Sequence, residues 1–298
     1  MKTNINHTLW TGALVLSICS ALTSTAAAQS FDQIPGFLTK IAIGNQTVAG
    51  INDSTQVVTW DTASSKFEPI PGGSGPFVTV AVGGGTLLQA DEVWALNADQ
   101  QIFRLSNGSF QQIPGQLTQI AIGPGFETCH PAEVWGLNNA SGEVFRFDFC
   151  TGQFNQAAGQ LSQISVGEHE VWGLNSAGAI FHWNFSTFVF DTVPGLLTQI
   201  SAGPAGVVWG VDSNTGKVFR LSRDNEGAKF LEVTGQLAVI SVGGNGVWGL
   251  NFAEGIFHFD QGSQQFVQVT GLLDSIAVGN GGGVWGLSSG QGIFLFKP

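Results

Sequence analysis

Three features of the 298-residue sequence predict an all-β fold, a seven-bladed β-propeller of four-stranded blades. A short phrase recurs as EVWALN (Glu92–Asn97), EVWGLN (Glu133–Asn138 and Glu170–Asn175), VVWGVD (Val207–Asp212), GVWGLN (Gly246–Asn251) and GVWGLS (Gly283–Ser288). A phenylalanine opens each of seven longer copies, at Phe31, Phe67, Phe110, Phe154, Phe190, Phe230 and Phe266, spaced 36 to 44 residues apart. That spacing is close to the period of a propeller blade, about 40–45 residues in the best-known class. Charged residues make up only 10% of the chain and glycine reaches 42, as expected for many short strands joined by tight turns.

Each copy holds four strand-like segments, shown best by FQQIPG (Phe110–Gly115), LTQIAIG (Leu117–Gly123), EVWGLN (Glu133–Asn138) and GEVFRF (Gly142–Phe147). They are rich in β-branched and aromatic residues, with Gly, Pro, Asn and Ser between them. None keeps an apolar period of 3.6 residues over the length of a helix. In the IAIG segment the middle residue is always small: Ala42, Ala81, Ala121, Ser165, Ser201, Ser241 and Ala277. Side chains alternate across a strand, so one face is bulky and the other nearly bare. That taper places this strand innermost, along the central channel. The last copy runs out at Gly292–Pro298, while FDQIPG (Phe31–Gly36) stands unpaired at the start. Joining the two completes the last blade and removes exposed strand edges.

The first 28 residues read as a removable signal. Lys2 precedes the apolar run Leu9–Leu22, and small residues end at Ala28. Residues 29–298 then form one propeller domain, exported either outside the cell or to a periplasm. Cys19 leaves with the signal, so Cys129 and Cys150 remain as an expected disulfide. Both belong to the third copy, where the bond would pin the inserted loop Pro124–Ala132. A net charge of −11 argues against nucleic acid and anionic membrane surfaces as partners.

The run GQLTQIAIG, EVWGLN, GEVFRF resembles the tectonin repeat of secreted β-propeller lectins of the tachylectin-1 and fish-egg-lectin kind. The likeness covers nearly all of the mature chain. It implies a non-catalytic, carbohydrate-binding propeller. The chain departs from the family where its outer strand opens with phenylalanine rather than tryptophan. The family's lectins are commonly six-bladed, which makes six the alternative blade count.

Three repeated slots carry candidate ligand contacts. Trp94, Trp135, Trp172, Trp209, Trp248 and Trp285 either pack one blade on the next, with the following glycine leaving room for the ring, or offer a ring edge to a sugar. Asn97, Asn138, Asn175, Asp212 and Asn251 either start hairpin turns or pair with sugar hydroxyls. Arg104, Arg146, His182, Arg220 and His258 either donate to carbonyls of the next blade or supply donors to a ligand.

No constellation for catalysis stands out. GLSSG (Gly286–Gly290) lies on a strand running into a hairpin, not on a strand-to-helix elbow. DSNTGK (Asp212–Lys217) lacks the closing glutamate of a calcium loop. No motif requires a cofactor or a metal. The expected function is therefore a secreted, multivalent lectin recognising cell-surface or microbial glycans through shallow sites between blades. The rival reading is a non-catalytic scaffold for a protein partner.

Overall fold

The computed structural model describes residues 29–86, 89–127, 130–225 and 227–298, so the signal expected at residues 1–28 and the cysteine at Cys129 lie outside the described residues. The described chain is all-β apart from a single 3-10 turn at Pro204–Gly206. Five sheets have four antiparallel strands each, taken in chain order, within residues 40–74, 77–116, 119–160, 163–196 and 199–233. We call them the first to fifth sheets. The remaining strands form one eight-stranded sheet with two four-stranded halves. One half spans 239–272. The other runs Ser275–Val278, Val284–Leu287, Gly292–Lys297 and then Ser30–Phe37. A single parallel pair, Ser30 with Thr270, links the halves.

The unpaired N-terminal segment thus finds the partner expected of it. Phe31 faces Phe296, Gln33 faces Phe294 and Ile34 faces Ile293 in an antiparallel register. The inner strands lie side by side in sequence order, from Lys40–Ile43 through Phe77–Gly83 and onward to Ser275–Val278, which again touches Lys40–Ile43.

The inner strand is where the alternation placed it, but its small positions are not bare. Ser165 Oγ accepts the Ala202 N–H at 2.9 Å, Ser201 Oγ accepts Val242 N–H at 3.0 Å, and Ser241 Oγ accepts Val278 N–H at 3.1 Å. The amide oxygens of Gln163 and Gln199 likewise accept the Ile200 N–H and the Ile240 N–H. Side chains of one sheet thereby satisfy edge amides of the next, which would otherwise cost free energy.

Between successive sheets lie the apolar clusters. One joins Trp135, Leu137 and Val144 of the third sheet to Leu161, Ile164, Val166, Val171 and Trp183 of the next segment. Fully burying one such side chain is worth about 1.5–3 kcal/mol. The glycine after each tryptophan has a different purpose from the one expected. A Cβ on Gly136 would come 2.3 Å from Leu117 Cδ1, and Gly173, Gly210, Gly249 and Gly286 meet Leu161, Leu197, Leu237 and Leu273 in the same way. The room is for the leucine that leads into the inner strand, not for the indole. The second sheet shows the converse: Ala95 replaces the glycine and Phe77 replaces the leucine, both in one buried cluster. Phe77 also fills the place left by Ala49, which stands where the other copies have tryptophan, and its ring lies 5.3 Å from that of Phe110.

Candidate functional site

The six repeat tryptophans are core. Their relative exposure runs from 0% at Trp94, Trp135, Trp172 and Trp248 to 3% at Trp285 and 5% at Trp209. Each ring packs on a pair of aromatics, or on one, in the following unit: Trp94 on Phe147 and Phe154, Trp135 on Trp183 and Phe190, Trp172 on Phe230. Trp209 meets Phe259 and Phe266, Trp248 meets Phe296 and Phe31, and Trp285 meets Trp60 and Phe67. Centroids 4.6–6.1 Å apart with steeply inclined planes suit edge-to-face packing. Rings so enclosed leave no face for a sugar to stack on.

The indole N–H groups reveal a partner that the repeated slots did not include. Trp94, Trp135 and Trp172 donate to Glu92, Glu133 and Glu170, two residues earlier, at 3.2, 3.0 and 2.8 Å. The basic slot closes on the same carboxylates. Arg104 clasps Glu92 through Nε and Nη2 at 2.8 and 2.7 Å, and Arg146 clasps Glu133 at 2.9 and 2.6 Å. His182 Nε2 lies 2.8 Å from Glu170, which also accepts from Arg223 at 2.6 Å. Burial alone would raise the Glu170 carboxyl, but the bonds and charges of His182 and Arg223, with the Trp172 N–H, hold it below its usual value. These three side chains each serve a carboxylate of their own sheet.

Where the glutamate is missing, the basic residue does something else. Val207 takes its place in the fifth sheet, and Arg220 reaches across to Gln264 at 2.9 Å. Gly246 takes its place in the 239–272 half, and His258 stacks on Trp248 with Nε2 3.2 Å from the Asn245 carbonyl. Burial pushes the His258 imidazole below its usual value, against opposing effects from that carbonyl and Asp260. The signal was present in the sequence as a pairing of Glu with Arg or His twelve or thirteen residues on.

The polar slot builds turns. Asn97 Oδ1 accepts Gln101 N–H, Asn138 accepts Ala140 N–H, Asn175 accepts Ala177 and Ala179 N–H, and Asn251 accepts Ala253 and Gly255 N–H. Asp212 accepts from Asn214 N–H and Thr215 Oγ1–H, so its carboxylate is held by the turn where a calcium loop would need it. The bonds to the N–H two residues on are those of Asx turns, and those to the N–H four residues on close the hairpin.

Two grooves recur at equivalent places. One, of about 420 Å³, is lined by Ile102 and Pro114–Leu117 of the second sheet and its exit, and by Asn138, Phe145 and Phe154 of the third. The other, of about 510 Å³, is lined by Ala158–Leu161 and by Asn175, Phe181, Val189 and Phe190. Half-buried phenylalanines make the walls, and Asn and Gln amides are the polar groups within reach. The glycine of the outer strand forms one side: Gly159 has φ 136°, and a Cβ there would sit 3.0 Å from Phe190 Cδ2. So Asn138 and Asn175 do line grooves between sheets, while the tryptophans and arginines of the other slots do not line these two.

A family model for the tectonin domain matches residues 38–128, 76–170 and 126–297. The chain belongs to the tectonin family. No curated protein matches it. Among solved structures, this tectonin chain is similar to Prp20p of Saccharomyces cerevisiae, a study of which describes binding to Gsp1p and histones, with 11% identity and a TM-score of 0.63 over 86% of this chain and 81% of that one. It is similar to virginiamycin B lyase of Staphylococcus aureus, with 15% identity and a TM-score of 0.63 over 90% and 96%. It is also similar to YCF48 of Cyanidioschyzon merolae, with 15% identity and a TM-score of 0.59 over 90% and 99%. At such identities the likeness concerns the β-propeller fold alone.

Proposed function

We propose that this tectonin propeller is a secreted, multivalent glycan-binding protein with seven blades, its ligands held in shallow grooves between blades. The observation that carries the reading is the repeated groove. Asn138, Phe145 and Phe154 with Gly115 and Gln116 recur as Asn175, Phe181 and Phe190 with Gly159 and Gln160. An aromatic wall takes the C–H face of a sugar ring, and amide groups offer planar donors and acceptors to its hydroxyls. Weak identical sites on a rigid ring gain avidity on a repetitive surface.

The blade count rests on six four-strand groups in chain order and a seventh completed by Ser30–Phe37, the parallel contact at Thr270 being only a bridge between neighbours. Export, with removal of residues 1–28, and a Cys129–Cys150 disulfide belong to the same proposal.

A glycan array tests it. Binding that a free monosaccharide competes away, and that weakens in Gln116→Ala and Gln160→Ala together, supports the lectin. A blank array sinks it. Protein binding is the second reading, favoured by Phe37, Leu196, Phe252 and Leu272, which are 61–67% exposed.

A further inference from the structure

A third groove, of about 490 Å³, lies between the third and fourth sheets, at the same junction as the second of the repeated pair and sharing Ala158 with it. Phe147, Ala157, Ala158, Trp183 and Phe188 form its apolar lining, and Arg146, Asp148, Asn155 and Gln156 its polar part. Its size falls within the range of small-molecule sites, roughly 300–1,000 Å³. Two further observations set it apart from the other junctions.

Trp183 is 4% exposed, and its Nε1–H is buried with no acceptor among the described residues. Phe147, Phe259 and Trp60 of the first sheet hold the equivalent place, packing on Trp94, Trp209 and Trp285, and none of them leaves a buried N–H without a partner among the described residues. What sets Trp183 apart is its unsatisfied N–H, not the indole itself. A buried donor left unpaired is destabilising unless a partner arrives.

Phe188 is the second. It ends the hairpin of the fourth sheet with φ 57°, a left-handed backbone that a bulky residue adopts at a cost. Equivalent hairpins place Ser65, Gly152 and Gln264 there. The ring is 60% exposed, so burial does not offset the strain.

We propose that this groove binds a small uncharged ring compound bearing a carbonyl oxygen, with the ring against Phe188 and the carbonyl accepting the Trp183 indole N–H. An anionic ligand is disfavoured: Glu133 neutralises Arg146, and the Cys150 N–H together with Thr151 keeps Asp148 ionised at the groove, with His130 Nε2 4.0 Å away. The Asn155 and Gln156 amides suit a neutral polar edge. This inference rests on Trp183 and Phe188, neither of which lines the repeated grooves, and a blank glycan array would remove the sugar as ligand while leaving an aryl ligand to be tested.

Tryptophan indole N–H signals in a ¹H–¹⁵N spectrum of the protein read this site directly, with the Trp183 signal assigned from Trp183→Phe. Acetanilide and N-acetylglucosamine serve as neutral amide probes, one aromatic and one a sugar, and benzoate as the anionic control. The Trp183 signal is expected to move saturably with at least one neutral probe, and which of them moves it distinguishes an aryl ligand from a sugar. Benzoate should bind roughly tenfold more weakly. Phe188→Ser, which copies the residue at Ser65, should weaken binding about 5-fold. No saturable shift with either neutral probe, equal binding of benzoate, or unchanged affinity in Phe188→Ser would each overturn the proposal.

Discussion

Arg146 closes on Glu133 through two parallel hydrogen bonds, and the carboxylate it holds is only 1% exposed. The same carboxylate accepts the Trp135 indole N–H, so ion pair and aromatic core share one anchor. Removing one member strands the others. Glu133→Ala is expected to cost roughly 2–4 kcal/mol in urea unfolding, because a half-buried guanidinium loses its counter-charge and the Trp135 N–H its acceptor. Glu133→Leu with Arg146→Met should cost much less than the two single changes summed. Additive costs would mean that the two side chains act independently.

The pH dependence follows from two depressed groups. Glu170 is held below its ordinary 4.5, so its contribution is present above that value and fades as pH falls through its folded pKa. His258 lies below its ordinary 6.5 because burial disfavours the cation. Below about pH 6.5 the unfolded imidazole takes up a proton that the folded one refuses. Both effects therefore make stability decline with falling pH, first from His258 and then from Glu170. His258→Phe should flatten the upper part of that decline, and Glu170→Gln the acid part. The Gln variant should also lose roughly 1–2 kcal/mol at neutral pH. Melting temperatures across pH 3 to 8 check both outcomes.

The Gly136–Leu117 contact gives a sharper test of packing. Gly136→Ala puts a Cβ within 2.3 Å of Leu117 Cδ1, and Leu117 is itself buried. Overpacking of this kind costs about 1–3 kcal/mol. The second sheet holds Ala95 beside Phe77 because Ala49 leaves room for that ring, room that Trp94 fills beside Leu117. Adding Leu117→Phe to Gly136→Ala should therefore recover none of the loss, and Leu117→Phe alone should also destabilise. The three variants compared by urea midpoint decide it.

Much of the architecture was legible because repetition turns one ambiguous strand into a pattern seen many times. The small residue in IAIG located the inner strand, and Phe31 found Phe296 because an unpaired strand at each end needed a partner. The candidate site was less legible. Tryptophan serves burial and sugar stacking equally well on paper, and only the Glu two residues earlier, with its Arg or His, shows that the indole is locked inward. The phenylalanines stood out as markers of the repeat, yet Phe145, Phe154, Phe181 and Phe190 are the rings that line the grooves. A strand edge that borrows a hydroxyl from its neighbour leaves no periodic trace, so the purpose of Ser165, Ser201 and Ser241 was hidden.

Those serines make their own prediction. Ser201→Ala removes the acceptor of the Val242 N–H and should cost about 1–3 kcal/mol, the cost of an unpaired buried donor. Amide hydrogen exchange at Val242 should speed up while Val278, served by Ser241, stays protected. Equal loss of protection at both would mean that the inner strands open as one body.

The pairing of Ser30–Phe37 with Gly292–Lys297 also bears on how the molecule is made. Of the described strands, the first to be synthesised has no place to go until the last of them has been released. Until then its edge groups, and those of the closing sheet, stay open to any passing chain. Contacts between such distant stretches also form slowly. Closure is thus a latch thrown across all the described sheets, and anything that delays it lengthens the time in which two nascent copies can trade that strand.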